Sequence, residues 1–357
     1  MAFLGKDTHR ENSAVVISSR IRLARNLKGR KFANCANTRQ ITDIYNRCVE
    51  GVKASGKMRG ARLYNMGSIS DYDRDMLLET RAISKELDVV DAAKGAFVSD
   101  DGCVSVFINE EDHIRIQVLG GGLTLSTLYK TANALDDDIE KNLEFAFSKD
   151  IGYITACPTN TGTGMRASVM LHLPALSINN QIEKVVRGLN QLGMVVRGSN
   201  GEGSDSYNAY YQLSNQNTLG VGEAEIIEKI KTFCKKICQF EVDARLKYLE
   251  DSPLMLVDKF LRARATLENC KLIDTEEALG HLSVLRLAAD MNMLGNSDAV
   301  LDALDDLADI VQPMHLESHC GVETADDNER DELRARLLNR EIARLPEIKQ
   351  KTFTKRK

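Results

Sequence analysis

The periodicity of the apolar residues changes near residue 222, and this change constrains the fold more than any other feature of the chain. Before that point, short alternating runs such as Val104–Val118 and Arg166–Leu173 are separated by Gly, Asn and Asp, which is typical of β-strands. Beyond it, successive segments carry the helical period. We therefore expect an α+β domain over residues 1–222, followed by an all-helical domain over residues 223–357.

Composition and charge exclude several classes of protein. The 357 residues are 43% hydrophobic and 28% charged, which is ordinary for a globular protein. A net charge of -5 leaves no basic surplus for non-specific nucleic-acid binding. The sequence has no run of 18 apolar residues that could span a membrane, and Met1–Arg10 lacks the apolar segment of a secretory signal. We therefore expect a cytoplasmic protein without nucleic-acid or membrane partners.

The eight cysteines include no C-x-x-C pair. Cys234 with Cys238, and His315 and His319 with Cys320, could be considered as zinc ligands. Packing of these side chains in the core is the more favourable interpretation, because the ligand spacing of a zinc site is absent. We expect no metal site built from protein ligands alone.

Arginines on alternating positions are the first indication of chemistry. In the run from Val16 to Leu23, a strand would place Ser18, Arg20 and Arg22 on one face and mostly apolar residues on the other. An arginine on a strand face usually pairs with an acidic residue at the surface, so this run alone does not predict a site.

The run Asn109–Val118 repeats this alternation. A strand over the whole run would place Glu111 and Arg115 on the same face, about 13 Å apart. That separation suits a carboxylate at one end of a long substrate and a cation at the other end. It does not suit a direct ion pair.

Two loops add polar groups. The segment Cys157–Ser168 contains one Pro and two Gly before a strand that carries Arg166, and Arg197–Asp205 is a Gly-rich loop with one cation and two carboxylates. Each loop alone is most often a simple turn. Together with the arginines they describe a phosphate clamp, since arginine matches phosphate oxygens with two parallel hydrogen bonds. The P-loop motif and the protein-kinase motifs H-R-D and D-F-G are absent.

Three motifs carry a family resemblance. They are Ser18-Ser19-Arg20-Ile21-Arg22, Asn109-Glu110-Glu111-Asp112-His113 and Cys157-Pro158-Thr159-Asn160-x-Gly162-Thr163. They resemble the signatures of the ATP:guanido phosphotransferases, the phosphagen kinase family, over about residues 13–220. The resemblance implies a phosphagen-kinase-like catalytic domain with a large antiparallel sheet flanked by helices.

The helical part narrows the resemblance. Its motifs are Leu282-Ser283-Val284-Leu285-Arg286-Leu287, Gln312-Pro313-x-His315-Leu316 and Arg330-Asp331-x-x-Arg334-Ala335. The first arginine motif begins at residue 18, so we expect the helical domain that precedes it in arginine and creatine kinases to be absent. This arrangement is similar to bacterial protein-arginine kinases over essentially the whole chain. The similarity implies phosphorylation of exposed arginines in proteins, marking for a Clp-type protease, an activator protein and a homodimer.

The resemblance also implies roles for individual residues. Glu111 would orient the substrate guanidinium and take its proton, since a guanidinium has a pKa above about 12 and no nucleophilic lone pair. Cys157 would lie beside it as a thiolate, and Asp205 would provide a second contact. ATP would bind with Mg²⁺, which phosphates and water would hold. The implied ATP-site residues are Ser18, Ser19, Arg20, Ile21, Arg22, Arg81, Arg115, Arg166, Ala167, Ser168, Val169, Met170, Arg197, Gly198, Ser199, Asn200, Gly201 and Glu202.

Three positions depart from the pattern of the small-molecule guanidino kinases. Asn200 stands where they have an arginine, Asp205 where they have a glutamate, and Arg81 where the family has a histidine. These departures leave room for slow or altered activity. Two alternatives therefore stay open, a small-molecule guanidino kinase and a weakly active adaptor that binds phosphoarginine.

The motif near the end of the chain allows two interpretations. The i, i+4 spacing places Arg330 and Arg334 on one helix face beside Asp331, which by itself indicates a solvated salt-bridge helix. The resemblance instead implies an allosteric phosphoarginine pocket formed by Arg330, Asp331, Arg334 and Ala335.

Overall fold

A computed structural model describes residues 15–198, 206, 208–295 and 298–349. The strands of the described part are β1 (Val16–Arg25), β2 (Arg62–Asn65), β3 (Gly95–Val98), β4 (Val104–Ile108), β5 (Ile114–Gly121), β6 (Phe147–Ser148), β7 (Gly152–Tyr153), β8 (Met165–His172), β9 (Met194–Gly198) and β10 (Tyr210–Asn215). The helices of the same residues are α1 (Thr38–Lys53), α2 (Asp71–Glu79), α3 (Leu125–Glu140), α4 (Pro174–Ile178), α5 (Ile182–Gln191), α6 (Glu223–Asp251), α7 (Pro253–Asn269), α8 (Thr275–Asp290), α9 (Asp298–Ile310), α10 (Pro313–Cys320) and α11 (Asp327–Ile342).

Eight strands of the described chain form one sheet in the order β2-β3-β4-β5-β1-β8-β10-β9. The pairs β1–β5, β1–β8, β2–β3, β3–β4 and β4–β5 are antiparallel, and β6 with β7 forms a separate hairpin. Helix α3 packs against β1 and β5, and α1 packs against β4. The prediction of an α+β fold with a large antiparallel sheet flanked by helices and followed by helices is confirmed.

The alternation in β1 explains how the central strand is oriented. Ile21 and Leu23 are 0% and 1% exposed, whereas the side chains of Arg20 and Arg22 are only partly buried. Since successive side chains of a strand point to opposite faces, burial of the apolar set on one face turns the arginines to the other face.

The chain divides into two compact units. The first comprises the described residues of Met1–Leu171, Gly188–Val196 and Gln212–Lys235, and the second those of His172–Arg187, Arg197–Tyr211 and Lys236–Lys357. The domain boundary that we predicted near residue 222 stays a prediction.

The second unit has its own apolar core, in which Phe260, Leu285, Leu304 and Leu338 of helices α7, α8, α9 and α11 are all buried. A core of this kind explains why the helical periodicity of these segments persists in the fold. No helix among the described residues has the length and apolar character needed to cross a membrane.

Candidate active site

The register of the sheet brings four arginines to one face. On β1, Arg22 lies directly opposite Arg166 of β8, and Ala24 lies opposite Arg115 of β5. Arg20 is two residues before Arg22 and therefore shares its face. Because residues directly opposite each other project to the same side of a sheet, Arg20, Arg22, Arg115 and Arg166 form one cluster. We call these four residues the arginine face.

The electrostatics of the arginine face confirm that its members interact. Burial, together with the charges of Arg81, Arg166 and Arg115, lowers the pKa of Arg20 to about 10. Burial and the charges of Arg20, Arg115 and Arg166 lower the pKa of Arg22 well below its ordinary value. Like charges opposite each other destabilise a sheet, so a bound anion would relieve this repulsion.

Neutral side chains from β10 orient two of these guanidinium groups. Arg20 Nη2 donates to Oε1 of Gln212 at 2.8 Å, and Arg166 Nη2 donates to Oγ of Ser214 at 3.2 Å. Such partners hold a guanidinium in place without cancelling its charge. Neither residue was predicted from the sequence, because their contacts with the arginines depend on β10 lying beside β8 in the sheet.

Arg81 joins this cluster from the loop after α2. Its backbone is in the left-handed region, with φ at 59°, and its carbonyl oxygen accepts a hydrogen bond of 2.8 Å from Nε2 of Gln117 on β5. A non-glycine residue held in this conformation costs about 1–3 kcal/mol. The fold therefore accepts local strain where it places a cation close enough to lower the pKa of Arg20.

The predicted 13 Å separation of Glu111 and Arg115 is wrong. Strand β5 begins only at Ile114, and Asn109 has φ at 54°, so residues 109–113 form a turn. This turn brings Oε2 of Glu111 to 2.5 Å from Nη2 of Arg115. The alternating pattern continued into a segment that is not a strand, and asparagine is one of the few residues that readily adopt a left-handed backbone.

Glu110 and Glu111 bind different nitrogens of the Arg115 guanidinium. Both oxygens of Glu110 approach Nη1 of Arg115, at 2.5 and 2.6 Å, and Glu110 also accepts hydrogen bonds from Oγ of Ser84 and the backbone N–H of Glu111. The side chain of Glu110 is 0% exposed, whereas that of Glu111 is 42% exposed. Glu110 therefore fixes Arg115, and Glu111 stays accessible to a ligand. The sequence did not indicate this role of Glu110.

Asp112 connects the segment of Glu111 to that of Cys157. Its Oδ1 atom accepts hydrogen bonds from Nδ2 of Asn26 at 2.6 Å and from the backbone N–H of Ala156 at 2.7 Å. Asp112 follows Glu111 directly, and Ala156 directly precedes Cys157. The two predicted catalytic side chains are therefore carried by segments that a buried carboxylate holds together.

The loop that carries Cys157 is shaped by several local contacts. Pro158–Asn160 forms a short 3-10 helix, and Oγ1 of Thr218 donates to the carbonyl oxygens of Thr159 at 2.8 Å and of Thr161 at 2.7 Å. Gly162 has φ at 116°, and a Cβ atom there would collide with the carbonyl of Thr218. The loop accordingly has the defined shape that its Pro and Gly residues predicted.

The other implied ATP-site residues of β1 and β8 fall on both faces of the sheet. Ser19 lies opposite the arginine face, where its hydroxyl donates to the carbonyl of Gly122 and accepts from the N–H of Thr124. Ile21, Ala167 and Val169 share the face of Ser19 and are buried. Ser18, Ser168 and Met170 share the arginine face, where Ser168 is buried and the other two are partly buried.

Two of the remaining residues implied at the ATP site lie at the end of β9. Arg197 is exposed and Gly198 is buried at the end of β9. The residues that lie outside the described part of the chain are Ser199, Asn200, Gly201, Glu202 and the implied catalytic Asp205.

Arg334 of the α11 motif does not lie on a solvated salt-bridge face. Arg334 is 1% exposed, and it donates to the carbonyl oxygens of Val311 and Ile273 at 2.8 Å each and to Asp331 at 2.5 Å. That interpretation was therefore wrong for Arg334, because tertiary packing buries this side chain. Ala335 is also buried in the helical core.

Arg330, one turn before Arg334, has a different environment. Its side chain is 22% exposed, and it pairs with Glu317 at 3.3 Å and Asp327 at 2.7 Å.

No group of three or more His, Cys, Asp and Glu side chains in the described ranges has the geometry of a metal site. Cys234 and Cys238 are buried side chains of α6.

Comparison with known proteins identifies the family. The model of the ATP:guanido phosphotransferase C-terminal catalytic domain matches residues 43–244, and that of the protein-arginine kinase McsB C-terminal domain matches residues 253–353. The protein-arginine kinase of Halothermothrix orenii is 39% identical over 91% of this chain and 92% of its own length. That of Pelotomaculum thermopropionicum is 36% identical over 95% of this chain and 96% of its own length. The chain belongs to the protein-arginine kinase family.

Solved structures show the same fold for the kinase. Lombricine kinase superposes with a TM-score of 0.57 at 22% identity, covering 69% of each chain. The duplicated taurocyamine kinase from Schistosoma mansoni gives a TM-score of 0.60 at 20% identity, covering 83% of this chain and 49% of that chain.

Family membership and geometry agree on the chemistry. As a member of a family of ATP:guanido phosphotransferases, this kinase uses ATP and phosphorylates arginine. Phosphoryl transfer to a guanidinium needs cations for the phosphates and a carboxylate for the guanidinium, and the arginine face and the partly exposed Glu111 are groups of these two kinds.

Proposed function

We propose that the arginine face binds the phosphates of ATP and that Glu111 and Cys157 bind the guanidinium of an arginine in a protein substrate. The observation that carries this proposal is the cluster of four arginines on one sheet face, whose charges act on one another. Guanidinium groups that bind phosphate with paired hydrogen bonds neutralise the charge of the transferring phosphoryl group.

Glu111 provides the acid–base function in this proposal. It holds one guanidinium nitrogen in line with the γ-phosphorus and accepts a proton from it as the nitrogen–phosphorus bond forms and the bond to the ADP oxygen breaks. Cys157 lies beside the guanidinium, and Asp205 adds a second carboxylate contact. Before substrate binds, Glu111 pairs with Arg115, so the substrate guanidinium must compete for this carboxylate.

Mg²⁺ accompanies ATP in the proposed reaction and offsets the charge of the phosphates. The carboxylates beside the arginine face, Glu110 and Glu111, are paired with Arg115, and Gln212 and Ser214 are neutral, so phosphates and water would hold the ion. The residues of this chain would then act on the phosphate oxygens that the ion leaves free.

The helical unit provides the regulatory part of the proposal. We place an allosteric phosphoarginine pocket at the α11 motif, where Arg330 is the accessible cation and Arg334 supports the helix from within. The product mark directs substrates to a Clp-type protease in the cytoplasm, and the kinase acts as a homodimer with an activator protein.

Incubation with labelled ATP, an unfolded protein and free arginine in one reaction tests this proposal. We expect acid-labile phosphate on arginines of the protein, identified by mass spectrometry, and little product from free arginine. Product on free arginine alone would favour the small-molecule kinase. Binding of a phosphoarginine peptide without any transfer would favour the adaptor.

A further inference from the structure

The hairpin of β6 and β7 presents two apolar side chains to solvent at the base of the loop that carries Cys157. Phe147 is 57% exposed and Ile151 is 42% exposed. Single exposed apolar residues are ordinary in soluble proteins, so their exposure alone does not indicate a binding site. The inference depends instead on how this hairpin is anchored.

Tyr153 anchors the hairpin to the loop of Cys157 and to the core. Its N–H donates to the carbonyl of Gly162 at 2.8 Å, and the N–H of Gly162 donates back to its carbonyl at 3.1 Å. The guanidinium carbon of Arg25 lies 3.4 Å from the centre of the Tyr153 ring, and Arg25 forms a buried ion pair of 2.6 Å with Asp136. The ends of the Cys157 loop are therefore closed on a residue that the core holds in place.

Phe147 is in turn fixed on Tyr153. The two residues pair across the hairpin, and their rings meet edge to face with centres 5.1 Å apart. A side chain that is already held in one orientation loses little conformational freedom when a ligand covers it. Aromatic side chains that are exposed and rigidly held are enriched at binding surfaces.

The hairpin is within reach of a peptide bound at Cys157. Cys157 is four positions after Tyr153, so their Cα atoms are at most about 14 Å apart, and Phe147 is about 5 Å further across the hairpin. An extended substrate rises about 3.3 Å per residue. Residues within about six positions of the target arginine can therefore contact Phe147 and Ile151.

We propose that Phe147 and Ile151 form a substrate-docking surface for apolar side chains that flank the target arginine in an unfolded protein segment. The inference rests on the proposed function, because it assigns this surface to the substrate of the same site. An apolar surface beside a guanidinium site would favour arginines exposed by unfolding, since such segments carry apolar residues that a folded substrate buries.

Two peptides with a single arginine test this inference. They differ only in whether leucines or serines occupy the flanking positions, and KM and kcat are measured for each with the wild-type kinase, Ile151→Ser and Phe147→Ser. We expect the wild type to have a KM about tenfold lower for the leucine peptide, and both variants to lose this preference while keeping wild-type kinetics on the serine peptide. A tenfold change corresponds to about 1.4 kcal/mol.

A matched control and the contrary results make the test decisive. Val90→Ser removes another exposed apolar side chain, which is 79% exposed in the loop between α2 and β3, and should leave the preference intact. Variants that phosphorylate both peptides more slowly by the same factor would show that the hairpin only supports the Cys157 loop. Variants that keep the preference for the leucine peptide would refute the inference directly. Unchanged preference with altered sedimentation would assign the surface to self-association. A wild type that phosphorylates neither peptide would refute the proposed function itself.

Discussion

Two adjacent glutamates contact the same guanidinium, but we propose different roles for them. Replacing each by glutamine separates these roles. Glu111 is partly exposed and pairs with Nη2 of Arg115, whereas Glu110 is buried and holds Nη1 with both oxygens. Glutamine keeps the shape of the side chain, removes its charge and basicity, and replaces one acceptor oxygen by an NH2 donor. We expect Glu111→Gln to affect the rate and Glu110→Gln to affect stability and ATP binding.

The expected losses of rate and of stability differ because Glu110 is buried and Glu111 is partly exposed. Loss of a general acid–base group lowers the rate by about 10²–10⁴-fold. Loss of the partly exposed pair of Glu111 with Arg115 costs only about 0–1 kcal/mol of stability. Removal of the charge of Glu110 leaves Arg115 without its buried partner, which costs about 3–5 kcal/mol and disorders one cation of the arginine face.

Three measurements on each variant check this prediction. They are the rate of phosphoarginine formation, the dissociation constant of ATP by calorimetry, and the free energy of unfolding in urea. Glu111→Gln should keep wild-type ATP affinity and stability, and Glu110→Gln should lose both. A Glu111→Gln variant that retains more than about a tenth of the wild-type rate would remove Glu111 from the mechanism.

Three further predictions concern individual side chains. Arg166→Lys should not restore ATP affinity, because lysine keeps the charge but lacks the planar fork, and near-normal calorimetric binding would mean that the arginine face acts only as a diffuse positive field. Arg334→Ala should lower the free energy of unfolding by about 2–5 kcal/mol, since it leaves two buried carbonyl oxygens without donors; a loss below 1 kcal/mol in urea denaturation would contradict this. Burial raises the pKa of Asp290 to about 6. The protonated form of Asp290 is therefore favoured in the folded state. Its contribution to the free energy of unfolding is fully present below about pH 4 and is lost as the pH rises through 6. The free energy of unfolding of Asp290→Asn, relative to that of the wild type, should accordingly rise between pH 4 and 7. A difference between the two proteins that does not change with pH would refute the raised pKa of Asp290.

The arginine face could be predicted from the sequence because a strand has an intrinsic period of two. Val16–Leu23 and the start of β8 are strands, and their arginines share a face as the alternation indicated. The same rule failed at Glu111, where alternation continued through a turn. The backbone of Asn109 decides that turn, and side-chain periodicity carries no information about it.

The rest of the site depends on tertiary neighbours that local patterns do not specify. Gln212 and Ser214 became relevant only because the order of strands places β10 beside β8. Arg334 has the spacing of a solvated helix face, but the carbonyl groups of two other segments bind it in the core.

A crystal structure with a non-hydrolysable ATP analogue and an arginine peptide tests the central claim most directly. We predict that the γ-phosphate contacts the guanidinium groups of the arginine face, and that the peptide guanidinium displaces Arg115 from Glu111 and lies beside Cys157. Phosphates bound elsewhere, with Glu111 still paired to Arg115 and no peptide guanidinium beside it, would contradict the assignment of this face as the active site.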